Sequence, residues 1–342
     1  MDLRLATYEL AARHELDDSG VKRLRQLAGL DGEPAALAAW LPRGVAVLGG
    51  ALGGFGVILW IAANWETFGR YGRFALLEGL IAIVCLGALL RPRARAPLGL
   101  VALLGIGGLF AYFGQTYQSG ADPWQLFALW AALALPLCLG VRSDVLWTPW
   151  ALVAMTGLSL WMYALLGHRW SANADDLSIH LRGWCGALLL IAALSEPARR
   201  FTGAGVWSLR LAITLTAGMF CSTALGGLFS DSGGWHYALS LVLLALAAGM
   251  LSSRQFFDLY GLSAVALGLD VLLVAGLTRL LFNAHTSEWI GSLLFIGLAA
   301  AGLLAGTVKL VLQAARRHED AVPGGGAKAD VGTSAPSTEN AQ

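Results

Sequence analysis

The sequence predicts an all-α, polytopic transmembrane helix bundle of about ten spans, with a small helical cytoplasmic segment at its amino terminus. Three observations carry that reading. Of 342 residues, 57% are apolar and only 13% charged, about half the charge of an ordinary soluble chain. The apolar residues gather into runs long enough to cross roughly 30 Å of hydrocarbon, about 17 to 23 residues at about 1.5 Å each. Lys and Arg, finally, fall almost entirely into every second loop between those runs.

Residues 1–43 form the sizeable soluble segment. Asp17, Asp18 and Ser19 offer caps for a helix that carries Val21, Leu24 and Leu27 on one face and stops near Gly29, and Pro34 suits the start of another short helix. So small a unit buries little core alone, which makes the bilayer, the bundle or a cytoplasmic protein its expected support. Lys22, Arg23 and Arg25 suit anionic headgroups, although a solvated helix face is the simpler account of them. The first apolar run begins only at Val45, behind this charged segment, and is expected to be a permanent anchor.

The ten runs cover about 45–63, 74–90, 98–114, 124–140, 145–166, 181–195, 208–228, 236–251, 259–281 and 290–312. The third, sixth and eighth are short for a span, so the count is open to a change of one pair. The division expected is a four-span membrane unit over 44–145, six further spans over 146–313, and a disordered cytoplasmic tail over 314–342, rich in Gly, Ala, Ser, Thr and Pro. Ten spans place 18 of the 23 basic residues on the amino-terminal side and leave 5 on the other, Arg70, Arg73, Arg169, Arg182 and Arg279. Basic residues are retained in the cytoplasm, so both termini are expected there. The near-neutral balance of 23 basic against 22 acidic residues hides this asymmetry, so net charge is the wrong statistic here; the lipid bilayer is the expected partner, and nucleic acid is not.

Within the spans, glycines report close helix approach. Gly49 with Gly53, and Gly50 with Gly54, make two overlapping pairs at the spacing that lets helices touch. An approach inside the chain is the first expectation, and a homo-oligomer through these four glycines the alternative. Residues 74–87 (FALLEGLIAIVCLG) and 127–140 (FALWAALALPLCLG) share seven of fourteen letters at an offset of 53, which suits either a duplicated helix hairpin or shared Leu and Ala content. Cys85, Cys138, Cys185 and Cys221 all lie in apolar runs without Cys-x-x-Cys spacing and read as packing residues.

Polar residues at membrane depth are the functional clues. A carboxylate at the bilayer centre costs about 2.5 to 3.5 kcal/mol on the insertion scale, so it is expected to face protein and to find a partner or a proton. Asp270 sits halfway along the ninth run and Glu78 about one turn inside the second; small residues near each, Ser263 and Ala266 or Ala82 and Cys85, suggest buried acids at helix contacts. Each reads as a structural hydrogen bond or as part of a solute or proton pathway. A second cluster gathers at the outer ends of the first four spans: Asn64, Trp65 and Glu66, and then Gln115, Tyr117, Gln118, Asp122 and Trp124. The aromatics alone make an interfacial belt, but amides and carboxylates beside them suit a shallow binding or assembly site.

At this cluster the chain resembles a known family. Ile61-Ala62-Ala63-Asn64-Trp65-Glu66 and the run GQTYQSGADPWQLFALWAALALP from Gly114 to Pro136 are similar to the hallmarks of bacterial membrane proteins grouped as domain of unknown function 2157, over about residues 5–145. The resemblance implies a multi-pass protein of the bacterial inner membrane, without an activity, substrate or cofactor to carry over.

The signatures of a Walker loop, a dinucleotide fold, a zinc protease and a nucleophile elbow are not in the sequence, and no catalytic residue, metal or cofactor is expected. His168, His180, His236 and His285 fall on the outer side at irregular spacing and read as scattered interfacial histidines. The leading expectation is a ligand-binding or permease-like protein that uses Glu78, Asp270 and the outer cluster. The alternatives are a sensor, scaffold or assembly factor acting through the amino-terminal helices, and an intramembrane enzyme whose outer carboxylates and histidines converge.

Overall fold

The computed structural model describes residues 3–28, 35–64, 69–117, 120–167, 169, 172–230, 234–253, 255–283 and 289–320. Among them there is no strand, and nine helices are long and apolar enough to cross a membrane. A tenth apolar helix, α11 (Gly234–Leu251), is shorter. All ten expected runs are therefore helical, and the eighth is the short one. The chain is a helical membrane bundle, and its contacts divide it into two compact units, 1–105 and 106–342.

The first unit opens with α1 (Leu3–Arg13) and α2 (Asp18–Leu27). Asp17 caps α2: its carboxylate accepts from the Gly20 amide at 2.9 Å and the Ser19 hydroxyl at 2.7 Å. Those bonds, Ser19's first and Gly20's second, hold the Asp17 carboxyl below its ordinary range. No separate short helix follows. α3 (Ala35–Ala63) runs unbroken through Pro42 into the first span, where the proline removes a single backbone hydrogen bond without ending the helix.

α4 (Arg70–Leu90) and α5 (Arg95–Tyr117) follow. The overlapping glycine pairs of α3 divide by one residue of rotation, about 100°. A Cβ at Gly50 would meet the Pro97 side chain at 3.0 Å and one at Gly54 would meet Val101 at 3.1 Å, so this pair seats α3 against α5. Gly49 and Gly53 are exposed, with nothing within 4 Å. Gly50→Leu or Gly54→Leu is expected to cost about 1 to 3 kcal/mol by overpacking, whereas Gly49→Leu and Gly53→Leu leave the melting temperature of the purified monomer unchanged.

The second unit holds the end of α5, then α6 (Pro123–Val141), α7 (Asp144–Leu165), α8 (Leu177–Leu194), the short α9 (Glu196–Thr202), α10 (Val206–Phe229), α11, α12 (Leu259–Asn283) and α13 (Trp289–Asp320). α10 is its centre and packs on α7, α8, α11 and α12. It shows no single apolar stripe, as suits a helix that packs on four others, and its Ile213, Ala217, Phe220 and Ala224 join Trp184, Leu244, Val265 and Leu272 in one core. α13 packs on α12 and leaves Leu294 78% and Leu298 73% exposed, a surface that hydrocarbon accepts and water does not. The repeated letters of 74–87 and 127–140 do not share packing positions: Val84 and Ala88 are buried in α4, Ala134 and Cys138 in α6, a burial repeat offset by 50 rather than 53.

Candidate functional site

Asp270 is the carboxylate that the fold treats as special. α12 turns Val265 and Leu272 into the core and brings Gly268 close to Cys221 on α10, so the helix is fixed in rotation. That register turns Asp270 towards α13, where the Thr307 hydroxyl donates to its Oδ1 at 2.8 Å. The residue is only 8% exposed. Its Oδ2 is buried and accepts no hydrogen bond among the described residues, nor does an ion pair reach it there.

A cavity of about 600 Å³ lies between α11, α12 and α13, with Asp270 among its lining residues. It runs from Asp270, near the middle of α12, to the end of the bundle marked by Ser252, Leu262 and Ala314. Its walls are Leu, Val, Ala and Gly, with hydroxyls only from Ser252 and Thr307. Gly249, Gly302 and Gly306 are among its lining residues, and a Cβ at any of them would meet nothing within 4 Å. An apolar cavity with one buried, half-satisfied carboxylate is a place for a proton or a cationic ligand.

The other expected site residues stand apart from it. Glu78 is exposed on α4, so the burial expected from its small neighbours is not found. Ala82 is likewise exposed, and α4 buries Leu77, Val84 and Ala88 instead. Trp65, Glu66 and Gln118 lie outside the described residues. Asn64, in the first unit, turns its amide back to the Trp60 carbonyl at 2.9 Å and closes α3. In the second unit, Gln115 is exposed, Tyr117 packs its ring 4.7 Å from that of Phe113, Asp122 occupies the N-cap position before Pro123, and Trp124 is half-buried.

Two of the histidines are buried side by side near the starts of their helices. His180 is 3% exposed and His236 is fully buried, with ring centroids 5.1 Å apart and edge to face. Thr223 of α10 sits 3.3 Å from His180 Nδ1, and His180 with Met162, Met219 and Ser159 lines a second cavity of about 480 Å³ between α7, α8 and α10. His168 and His285 lie outside the described residues. Among the described residues no three His, Cys, Asp or Glu side chains converge as a metal set would.

One polar centre was not anticipated from the sequence. The Asp144 carboxylate accepts from the backbone amides of Gly205 at 3.0 Å, Trp207 at 2.8 Å and Ser208 at 3.1 Å, capping α10 from the first turn of α7. Beside it Trp147 Nε1 donates to the Thr202 carbonyl at 2.9 Å and Arg142 donates to that of Arg200. Ser143-Asp144 is a legible helix start, but nothing local announces a partner some sixty residues away. Farther along the same end of the bundle, Arg210 pairs with Asp258 at 3.0 Å, and Asp258 also caps α12 through the Gly261 amide at 2.8 Å.

No curated protein and no solved structure matches this chain. The stretch that carries the Asn64 and Gln115–Trp124 motifs does have relatives, and Asp270 lies beyond it: over residues 8–147 the chain matches the model of the family described as predicted membrane protein (DUF2157).

Proposed function

We propose that this is a ligand-binding, permease-like protein of the bacterial inner membrane, with both termini in the cytoplasm and Asp270 as the carboxylate of its pathway. The observation that carries the reading is Asp270 in the lining of an apolar cavity, with a buried Oδ2 that accepts no hydrogen bond among the described residues. Such a group is costly at membrane depth, and a structural role would consume both oxygens. The Thr307 hydroxyl consumes one. The orientation rests on the 18 basic residues of alternate loops and termini against 5 opposite; on it, the Ser252 end of the cavity faces the cytoplasm. The resemblance around Asn64 and Gly114–Pro136 supports the inner membrane as the location.

The test is chemical. Dicyclohexylcarbodiimide enters hydrocarbon and reacts with protonated carboxyls in apolar surroundings. In liposomes containing the full chain, an adduct is expected on the Asp270 peptide, read by mass, and gone in Asp270→Asn. Reagent that modifies other carboxyls and leaves Asp270 untouched at every pH would remove it from any accessible pathway.

A further inference from the structure

We infer that the Asp270 cavity takes a lipophilic monovalent organic cation, an amine or quaternary onium group carried on an apolar body. The inference rests on the reading of this cavity as an accessible binding site and adds the class of ligand.

Charge sets the class first. Asp270 lines the cavity and is 8% exposed, its Oδ1 is held by Thr307 at 2.8 Å, and its buried Oδ2 accepts no hydrogen bond and meets no basic side chain in ion-pair reach among the described residues. An anion there would add a second uncompensated charge, whereas a single positive charge cancels the one present.

The walls decide between kinds of cation. Magnesium and calcium ions need a shell of six or more oxygens, and beyond the carboxylate the side-chain oxygens of the lining are the two hydroxyls of Thr307 and Ser252. Ser252 already donates to the Gly249 carbonyl at 2.8 Å. An onium ion spreads its charge over carbon, needs no such shell, and gains from burying its body against the Leu, Val and Ala side chains of the lining. The volume, about 600 Å³, is in the range of ordinary small-molecule sites, about 300 to 1,000 Å³.

The experiment is binding of radiolabelled tetraphenylphosphonium to the full chain in phosphatidylcholine nanodiscs. Expected are saturable binding with one site per chain, a loss of roughly tenfold or more in affinity in Asp270→Asn, retention in Asp270→Glu, and weakening in Gly306→Leu, which adds bulk to the lining and keeps the acid. Should Asp270→Asn fail to fold, Asp270→Glu and Gly306→Leu carry the test. Binding that is equal in wild type, Asp270→Asn and Gly306→Leu is partition into lipid and overturns the inference. Absence of saturable binding to wild type also overturns it. In that case a persisting carbodiimide adduct on Asp270 leaves the pathway reading standing, and loss of both removes both.

Discussion

Replacing Asp144 with Ala is expected to lower the stability of the second unit by about 3 to 5 kcal/mol. The first backbone amides of a helix have no acceptor in the helix itself, and α10 begins after Gly205, whose lack of a side chain leaves it no cap of its own. Asp144 supplies the acceptors from α7, with Oδ1 taking Gly205 and Ser208 and Oδ2 taking Trp207. Hydrogen bonds to a charged group contribute about 1.5 to 3 kcal/mol each, and the exposure of Trp207 lets water replace part of its share. Asp144→Asn keeps one carbonyl acceptor and is expected to lose about half as much. A thiol-reactive dye measures the effect directly, since Cys138 is fully buried on the neighbouring α6 and becomes reactive only when the bundle opens. The expected fall in melting temperature is roughly 10 °C for Ala. A melt within a degree or two of wild type would mean that water caps α10 as well as Asp144 does.

The sequence made the helices legible and left most of their rotations hidden, for one physical reason. In water, an apolar stripe tells which face of a helix is inside. In hydrocarbon the core and the solvent are both apolar, and that signal disappears. What remains is carried by small and polar residues. The glycines of α3 pointed to a close approach, yet only the structure separates Gly50 and Gly54, against α5, from the open pair Gly49 and Gly53. Asp270 was recognisable because an acid at mid-span has to be accounted for, while Thr307, an ordinary residue in an apolar run, was not. Small neighbours made Glu78 look equivalent to Asp270, but Ala82 is as exposed as the acid itself. His236 looked interfacial because it lies at the beginning of its run. The packing of α11 on α10 and α12 buries it instead. Local signals fared best: Asp17 caps α2 as its position before Val21 and Leu24 suggested.

Gly203→Ala is the second large effect, expected to cost about 2 to 4 kcal/mol, and it tests whether this end of the second unit behaves as one joint. Gly203 has φ +69 and closes α9, its amide bonded to the Arg199 carbonyl at 2.7 Å. A left-handed conformation costs an L-residue about 1 to 2 kcal/mol. The added Cβ would also meet the Arg142 Cα at 2.9 Å, and overpacking of that kind adds about 1 to 3 kcal/mol. Arg142 has little freedom to retreat: it is itself left-handed at φ 52, and its guanidinium donates to the Arg200 carbonyl. Its neighbour Asp144 is meanwhile fixed on α10. The two turns therefore hold each other, and the Ala substitutions at 144 and 203 should fall short of additivity by about 1 kcal/mol or more in a double-mutant cycle. Full additivity would show instead that Asp144 supports α10 independently of the α9 turn.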